Sequence, residues 1–438
     1  MNLIKKIKIP FLSFVLLIGL SDISYAETTV TAEVDFVLNT LLFLMGGFLV
    51  MWMAAGFCML ESGLVTSKSV SVICAKNIGL YSIAGIMFWA VGYNLAYGIT
   101  EGGFIGNFNY WSDASKLETG YADSSDWFFQ MVFCATTASI VSGTMAERVK
   151  LWPFFLFTAI LTGIIYPIQM GWQWGGGWLA AIGFSDFAGS TLVHSCGGAA
   201  ALAGVILLGP RLGRFKNGTV KPMKPFAASS IPLATLGVFI LWMGWFGFNG
   251  GSQLAIDGIV NADAVAKIFV NTNTAAAAGL IVAMILSKLW LGKTALNATT
   301  NGALAGLVVI TADPLTPSPI MAMVYGGLGG LLIPFTMSYI EKLGIDDPVG
   351  AISVHGIAGI LGLMLVPILN TSASFLEQAI GIGAIFGFVF GSSYIIWFLL
   401  DKTIGIRVGE QEEVGGSDMW EAGVKAYPYF MKGHGEEE

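Results

Sequence analysis

Charge, cysteine and histidine are all scarce in this sequence, and each scarcity closes off a class of function. Charged residues make up 11% of the 438 positions, where a soluble globular domain carries roughly 25%; a soluble enzyme is not expected. The four cysteines (Cys58, Cys74, Cys134 and Cys196) sit in apolar runs, with neither metal-ligand spacing nor loop placement, which points to packing. No CxxC, Walker loop or GxSxG sequence occurs. The cluster Gly326-Gly327-Leu328-Gly329-Gly330 reads as helix packing rather than a phosphate loop. No catalytic residue, metal, cofactor or nucleic-acid partner is expected.

What is abundant is apolar surface. Hydrophobic residues reach 55%, mean hydropathy is +0.74, and many runs reach the ~20 residues that cross a hydrocarbon core. Glycine, at 57 residues, is about twice its usual ~7%; in lipid no hydrophobic drive joins helices, and small residues let their backbones approach. The expected fold class is all-α, a polytopic protein of the bilayer. Residues 1–26 read as a cleaved signal peptide, with Lys5, Lys6 and Lys8 before a short apolar run and Ser24-Tyr25-Ala26 at the cleavage position. Eleven transmembrane helices are expected in one domain over 27–404, near residues 33–60, 70–98, 125–146, 151–172, 187–209, 227–250, 263–288, 294–312, 318–340, 349–369 and 376–401, followed by a polar tail at 405–438. Arg148, Lys150, Arg211, Arg214, Lys293 and Lys342 fall in alternate connections, while the 99–124 connection is acidic and aromatic. By the positive-inside rule this sets the mature N-terminus outside and the tail in the cytoplasm, in an inner (cytoplasmic) membrane.

Three histidines occur, and one, His434, lies in the tail. The other two share a frame: Asp186 to His194 and Asp347 to His355 both read D-x-x-G-x-x-x-V-H, with Gly198 and Gly359 four residues further on. The two copies begin the fifth and tenth expected spans, which run in opposite directions. Eight residues of helix rise about 12 Å, near half of a ~30 Å core, so both histidines reach the midplane from opposite faces. That is the signature of an inverted repeat, spans 1–5 against 6–10 with one extra helix, and a site at its centre. Ionisable groups inside a membrane are costly and mark pathways; a pair that is symmetric and exhausts the intramembrane histidines is read as functional. Capping of a helix N-terminus explains Asp347. For Asp186, at the outer vestibule, capping and cation recruitment stand side by side.

Four stretches carry a wider likeness: Ala146-Glu147-Arg148, Asp186 through His194, Gly244-Trp245-Phe246-Gly247-Phe248-Asn249, and Asp346-Asp347-Pro348 through His355-Gly356. In their order, spacing and spans they resemble the ammonium transporters (Amt/Mep/Rh), of the bacterial Amt type, over nearly the whole mature chain. The resemblance implies a cation-recruiting site at the outer mouth, with Trp174 as its cation–π wall, Phe133 beside it and Ser252 as hydroxyl ligand. It implies a phenyl gate of Phe133 and Phe248 beneath, Phe129 one turn before it, and His194 and His355 as twin histidines of a hydrophobic pore. Glu147-Arg148 reads as an anchor at the cytoplasmic end. The implied function is ammonium uptake, with NH4+ deprotonated and NH3 conducted inward, with or without its proton. The implied partners are ammonium or ammonia, with methylammonium as an analogue, two further copies in a homotrimer, the lipid bilayer, and a P-II-type signalling protein at the cytoplasmic face.

The chemistry fits beside the likeness. A cation over an aromatic face gains about 0.5–2 kcal/mol, dragging it bare past two phenyl rings costs several kcal/mol, and neutral ammonia avoids that cost. The tail departs from the family pattern D-x-x-x-H-G-E-x-A-Y: Asp418, Gly423, Ala426 and Tyr427 keep it, while Ala422 and Val424 replace its histidine and glutamate. The connection Thr311 to Pro319 is unusually proline-rich. The alternatives are an electroneutral Rh-type NH3/CO2 channel, an ammonium sensor and, more remotely, a bis-histidine haem protein.

Overall fold

The computed structural model describes residues 31–216, 219–220 and 226–428. The expected signal peptide and the end of the tail, with His434, lie outside the described residues.

Helices form at all eleven expected positions: α1 Ala32–Leu64, α2 Val70–Tyr97, α3 Asp123–Thr144, α4 Leu151–Gly171, α5 Ser190–Leu208, α6 Ile231–Gly251, α7 Gly258–Leu291, α8 Leu296–Thr311, α9 Pro319–Lys342, α10 Ile352–Leu369 and α11 Phe375–Thr403. Among the described residues the only strands are the two-residue pair Phe215–Lys216 and Thr219–Val220. The starts carry the expected chemistry: Thr31, Ser230 and Ser318 each accept a backbone N–H of the first turn, the last two with proline at the helix start. Nine of the helices are long and apolar enough to cross a membrane. The other two are α3, whose hydroxyl and amide side chains lower its apolarity, and α8, which has 16 residues. Both are central rather than peripheral, α3 being buried from Phe129 to Thr144 and α8 from Asn301 to Thr311. Within those stretches their polar groups are buried inside the bundle.

That exterior is apolar, as a lipid-facing surface must be: Ile78, Trp152, Phe239, Leu289 and Ile395 are all more than half exposed. Cohesion comes from close backbone contact. Gly63 and Gly237 bring α1 and α6 so near that a Cβ on either would strike the other helix's backbone. Gly326 and Gly330 do the same for α9 against Ala275 and Gly279 of α7, so the glycine cluster is packing. Cys134 and Cys196 are buried, Cys58 is half-buried and Cys74 exposed, all as free thiols.

The bundle has two chemically distinct ends. At the basic end, Arg211, just after α5, donates to Asp346 Oδ2 (2.8 Å) and Oδ1 (2.9 Å) and to Glu147 Oε1 (3.3 Å). Arg148 donates to the carbonyls of Thr144, Ala146, Gly209 and Asp346, and Arg214 pairs with Glu341. Burial pushes the Asp346 carboxyl up, but the Arg211 hydrogen bonds and the charges of Arg148 and Arg211 overcome it and hold the group well below the ordinary carboxylate range. Residues 404–428 fold onto this end. Val408 N–H donates to Arg148 O (3.0 Å), Val72 N–H to Asp418 Oδ1 (3.0 Å) and Leu151 N–H to Glu421 Oε2 (3.2 Å), while Ala426 and Tyr427 pack on Val65, Val70, Ile73 and Ala146. Of the retained tail residues, Asp418, Ala426 and Tyr427 take part in this docking; of the two departures, Ala422 is half-buried and Val424 exposed.

Candidate substrate pathway

The two histidine frames fold alike. Asp186 accepts four N–H groups, from Gly189 (3.1 Å), Ser190 (2.8 Å), Thr191 (2.7 Å) and Leu192 (2.9 Å). Asp347 accepts those of Val349 (3.3 Å), Gly350 (2.9 Å) and Ile352 (2.8 Å). Gly189 (φ +100°) and Gly350 (φ +83°) make the left-handed step that turns the chain into its helix. Each helix then opens with a π-turn, Ser190–Ser195 and Ile352–Ile357, that contains the histidine. The frames start from opposite ends: Phe187 and Ala188 donate to the carbonyls of Ala312 and Thr311 at the end of α8, whereas Asp346 sits among the arginines of the basic end. The helices cross where Gly198 meets the backbone of Gly356 and Gly359 meets Ser190 and Ser195; the shared fourth-residue glycines make that approach possible. At the crossing His194 and His355 bring Nδ1 to Nδ1 at 3.2 Å, both buried.

A column of rings leads to this pair from the end opposite the arginines. Trp174 is half-buried, donates Nε1–H to Asp186 O (3.0 Å) and meets Phe133 edge-on at 6.0 Å. Phe133 stacks on Phe248 at 4.0 Å between centroids and 29° between planes, and Phe129 lies 4.7 Å from Phe133. Phe248 stacks 5.1 Å from His194, His194 lies 5.2 Å from His355, and Phe57 lies 5.8 Å beyond His355. Six of the eight expected residues therefore form one continuous column. Ser252 is half-buried one turn after Phe248, donates its hydroxyl proton to Phe248 O (2.8 Å) and keeps its lone pairs for a donor. Asp186 spends its carboxylate on the cap and reaches Trp174 through its backbone carbonyl, so its geometry is that of a holder.

An Nδ1–Nδ1 contact constrains protons. Hydrogen bonding at 3.2 Å needs one donor and one acceptor, so two neutral rings share a single proton there and are opposite tautomers. When the donor ring takes a proton at its Nε2 it becomes an imidazolium, the shared proton then crosses the contact, and the other ring releases a proton from its own Nε2; one proton has been relayed, the roles are exchanged and both rings end neutral. His194 Nε2 is buried with no partner among the described residues.

Some residues at the pathway escaped sequence reasoning. Trp245 stacks on His194 at 4.9 Å and is anchored through Nε1–H to Thr311 Oγ1 (2.7 Å); its signal was its place between Gly244 and Phe246 in the quoted motif. Glu61 and Lys76 form a buried ion pair at 3.7 Å. Lys76 was visible as a charge inside the second expected span, while Glu61 fell one residue beyond the 33–60 boundary and α1 in fact runs to Leu64.

This fold and this column define a class: a polytopic helical membrane transporter. Residues 41–427 match the Ammonium Transporter Family, and the chain belongs to that family. It is 39% identical over 422 residues to the ammonium transporter Amt2 of Archaeoglobus fulgidus, covering 88% of this chain and 87% of that one. Among solved structures it is similar to a sensor Amt protein (TM-score 0.84, 34% identity, 90% of this chain and 100% of that one). It is also similar to Mep2 of Candida albicans (TM-score 0.78, 26% identity, 87% and 89%).

Proposed function

We propose that this chain recruits NH4+ at Trp174, Phe133 and Ser252, strips its proton at the Phe133–Phe248 gate, and passes ammonia inward along His194 and His355. The observation that carries the reading is the Nδ1–Nδ1 pair at the foot of an uncharged ring column. Cation–π attraction of about 0.5–2 kcal/mol favours the ion at the mouth, and the several kcal/mol needed to desolvate it between two phenyl rings favours ammonia below. The proton crosses on the imidazole pair, whose shared hydrogen bond supports a relay.

The setting of the reading is a cytoplasmic membrane, with eleven crossings over 27–404 after a cleaved 1–26 leader, the start outside and the 405–438 tail in the cytoplasm. The arginine cluster at one end supports that orientation. A homotrimer with one pore per subunit, and a P-II-type protein docking beside the folded tail, complete it.

The test is ammonium-evoked current and uptake in proteoliposomes for His194→Leu, His355→Leu and the two glutamate variants, with assembly checked by size exclusion. Leucine is expected to abolish the current or change its selectivity against potassium. Glutamate, which still handles a proton, should retain more. Unaltered current from a correctly assembled double-leucine variant overturns the reading. A second reading, an ammonium sensor, is favoured by the likeness to the sensor Amt protein; binding of ammonium without uptake in the same vesicles would establish it.

A further inference from the structure

Beyond His355 the column ends in a small void lined by Phe57, Glu61, Ser139, Asn301, Val349 and His355. Its volume is about 10 Å³, room for a single water. Glu61 is 1% exposed. One of its oxygens, Oε2, accepts the Ser142 hydroxyl (2.7 Å) and faces Lys76 Nζ (3.7 Å). The other, Oε1, is buried with no hydrogen-bond partner among the described residues. Lys76, equally buried, is fixed by donating to Ser142 O (2.6 Å) and by lying 5.3 Å from the Phe154 ring.

An apolar pair of similar volume would pack here at no electrostatic cost, whereas a buried ion pair barely repays its desolvation, and charges kept inside a membrane protein mark routes of ions and protons. A carboxylate with one oxygen anchored and the other bare, sharing a one-water void with the last histidine, is built to take a proton from it. We infer that Glu61, positioned by Lys76 and Ser142, is the proton acceptor at the cytoplasmic exit of the twin-histidine relay.

In that step the N–H bond of the His355 imidazolium breaks and an O–H bond forms on Glu61 Oε1, through one water whose own O–H bonds are exchanged and not consumed. Glu61 then loses that proton to cytoplasmic water and is again a carboxylate. No electron moves, and ammonia leaves separately. Lys76 keeps its charge throughout and favours the return to carboxylate, which resets the acceptor.

The inference rests on the proposed transport, and the experiment separates the two. Charge moved per ammonium taken up is measured in proteoliposomes for wild type, Glu61→Gln, Glu61→Asp and the double variant Glu61→Gln/Lys76→Met, which leaves no unpaired buried charge and so guards against misfolding. The ratio is expected to fall at least fivefold in Glu61→Gln and in the double variant, and to recover at least half of the wild-type value in Glu61→Asp. A purely structural role would lower current and uptake together and leave the ratio unmoved. Wild type moving no charge with its ammonium overturns the relay and this inference together. Wild-type current with an unchanged ratio in the assembled double variant overturns this inference alone.

Discussion

Trp174 contributes one ring face and one N–H, and they do different work. The N–H, held by Asp186 O, fixes the ring; the face is what a cation can use. On the proposed function, Trp174→Leu removes recruitment while leaving Phe133, Phe248 and the histidines in place. A loss of about 1 kcal/mol of cation–π attraction corresponds to roughly a fivefold rise in the half-saturating ammonium concentration, with maximal uptake largely kept. Uptake at graded ammonium measures it, and an unchanged half-saturation removes Trp174 from the site. At this scale legibility in the sequence was uneven. His194 and His355 stood out because intramembrane histidine is rare and their frames match. Trp174, Phe133 and Phe248 did not stand out by themselves, since 13% of the chain is aromatic and any span offers several rings; only the resemblance singled them out. Glu61 was hidden because it lies one residue past the expected end of the first span, which in fact runs four residues further, to Leu64. Ser142 was hidden because a serine in an apolar run looks the same whether or not it holds a carboxylate.

At the scale of elements, the spans followed from apolar runs, but the wide turns that aim the histidines did not. A D-x-x-G-x-x-x-V-H frame announces a capped start, and an ordinary helix is the default continuation. The π-turns at Ser190–Ser195 and Ile352–Ile357 arise from how the carboxylate and the preceding glycine seat the first N–H groups, which no apolar periodicity reports. α3 is another such case: its hydroxyl side chains look wrong for lipid until its buried position is known. The crossing of α5 and α10 yields an asymmetric prediction. A Cβ on Gly198 would lie 2.5 Å from Gly356 Cα and 2.7 Å from its nitrogen, whereas a Cβ on Gly356 would find its nearest neighbour at 3.6 Å. Gly198→Ala is therefore expected to lower stability by about 1–3 kcal/mol through overpacking and to disturb the Nδ1 contact. Gly356→Ala should be tolerated. Thermal unfolding of both purified variants checks this, and equal melting of the two refutes the crossing geometry.

For the whole molecule, the basic end is where distant segments are tied together. Arg211 follows α5, Asp346 precedes α10, Glu147 and Arg148 follow α3, and the tail bonds back to Arg148 and to the starts of α2 and α4. The positive-inside pattern foretold where these arginines cluster, but not that they would be buried and paired, because loop charges ordinarily remain solvated. Asp346 is the hub, 2% exposed and shared by Arg211, Arg214 and the backbone of Arg211. Asp346→Asn keeps its shape and removes its charge, taking from buried Arg211 and Arg214 a carboxylate that both face. Breaking such a pair costs about 3–5 kcal/mol, so the variant should unfold at distinctly lower temperature at neutral pH. The sign of the pH dependence follows from the direction of the shift. Because the folded carboxyl titrates well below its ordinary value, its contribution is complete above about pH 4. It is lost as pH falls below that, where the unfolded chain takes up the proton first. The stability gap between wild type and Asp346→Asn should thus be flat from pH 7 to about 5 and narrow by roughly 1.4 kcal/mol per pH unit below about 4. Unfolding of both proteins across that range reads the gap directly; one that stays constant into acid would mean that the folded carboxyl is not held below its ordinary range.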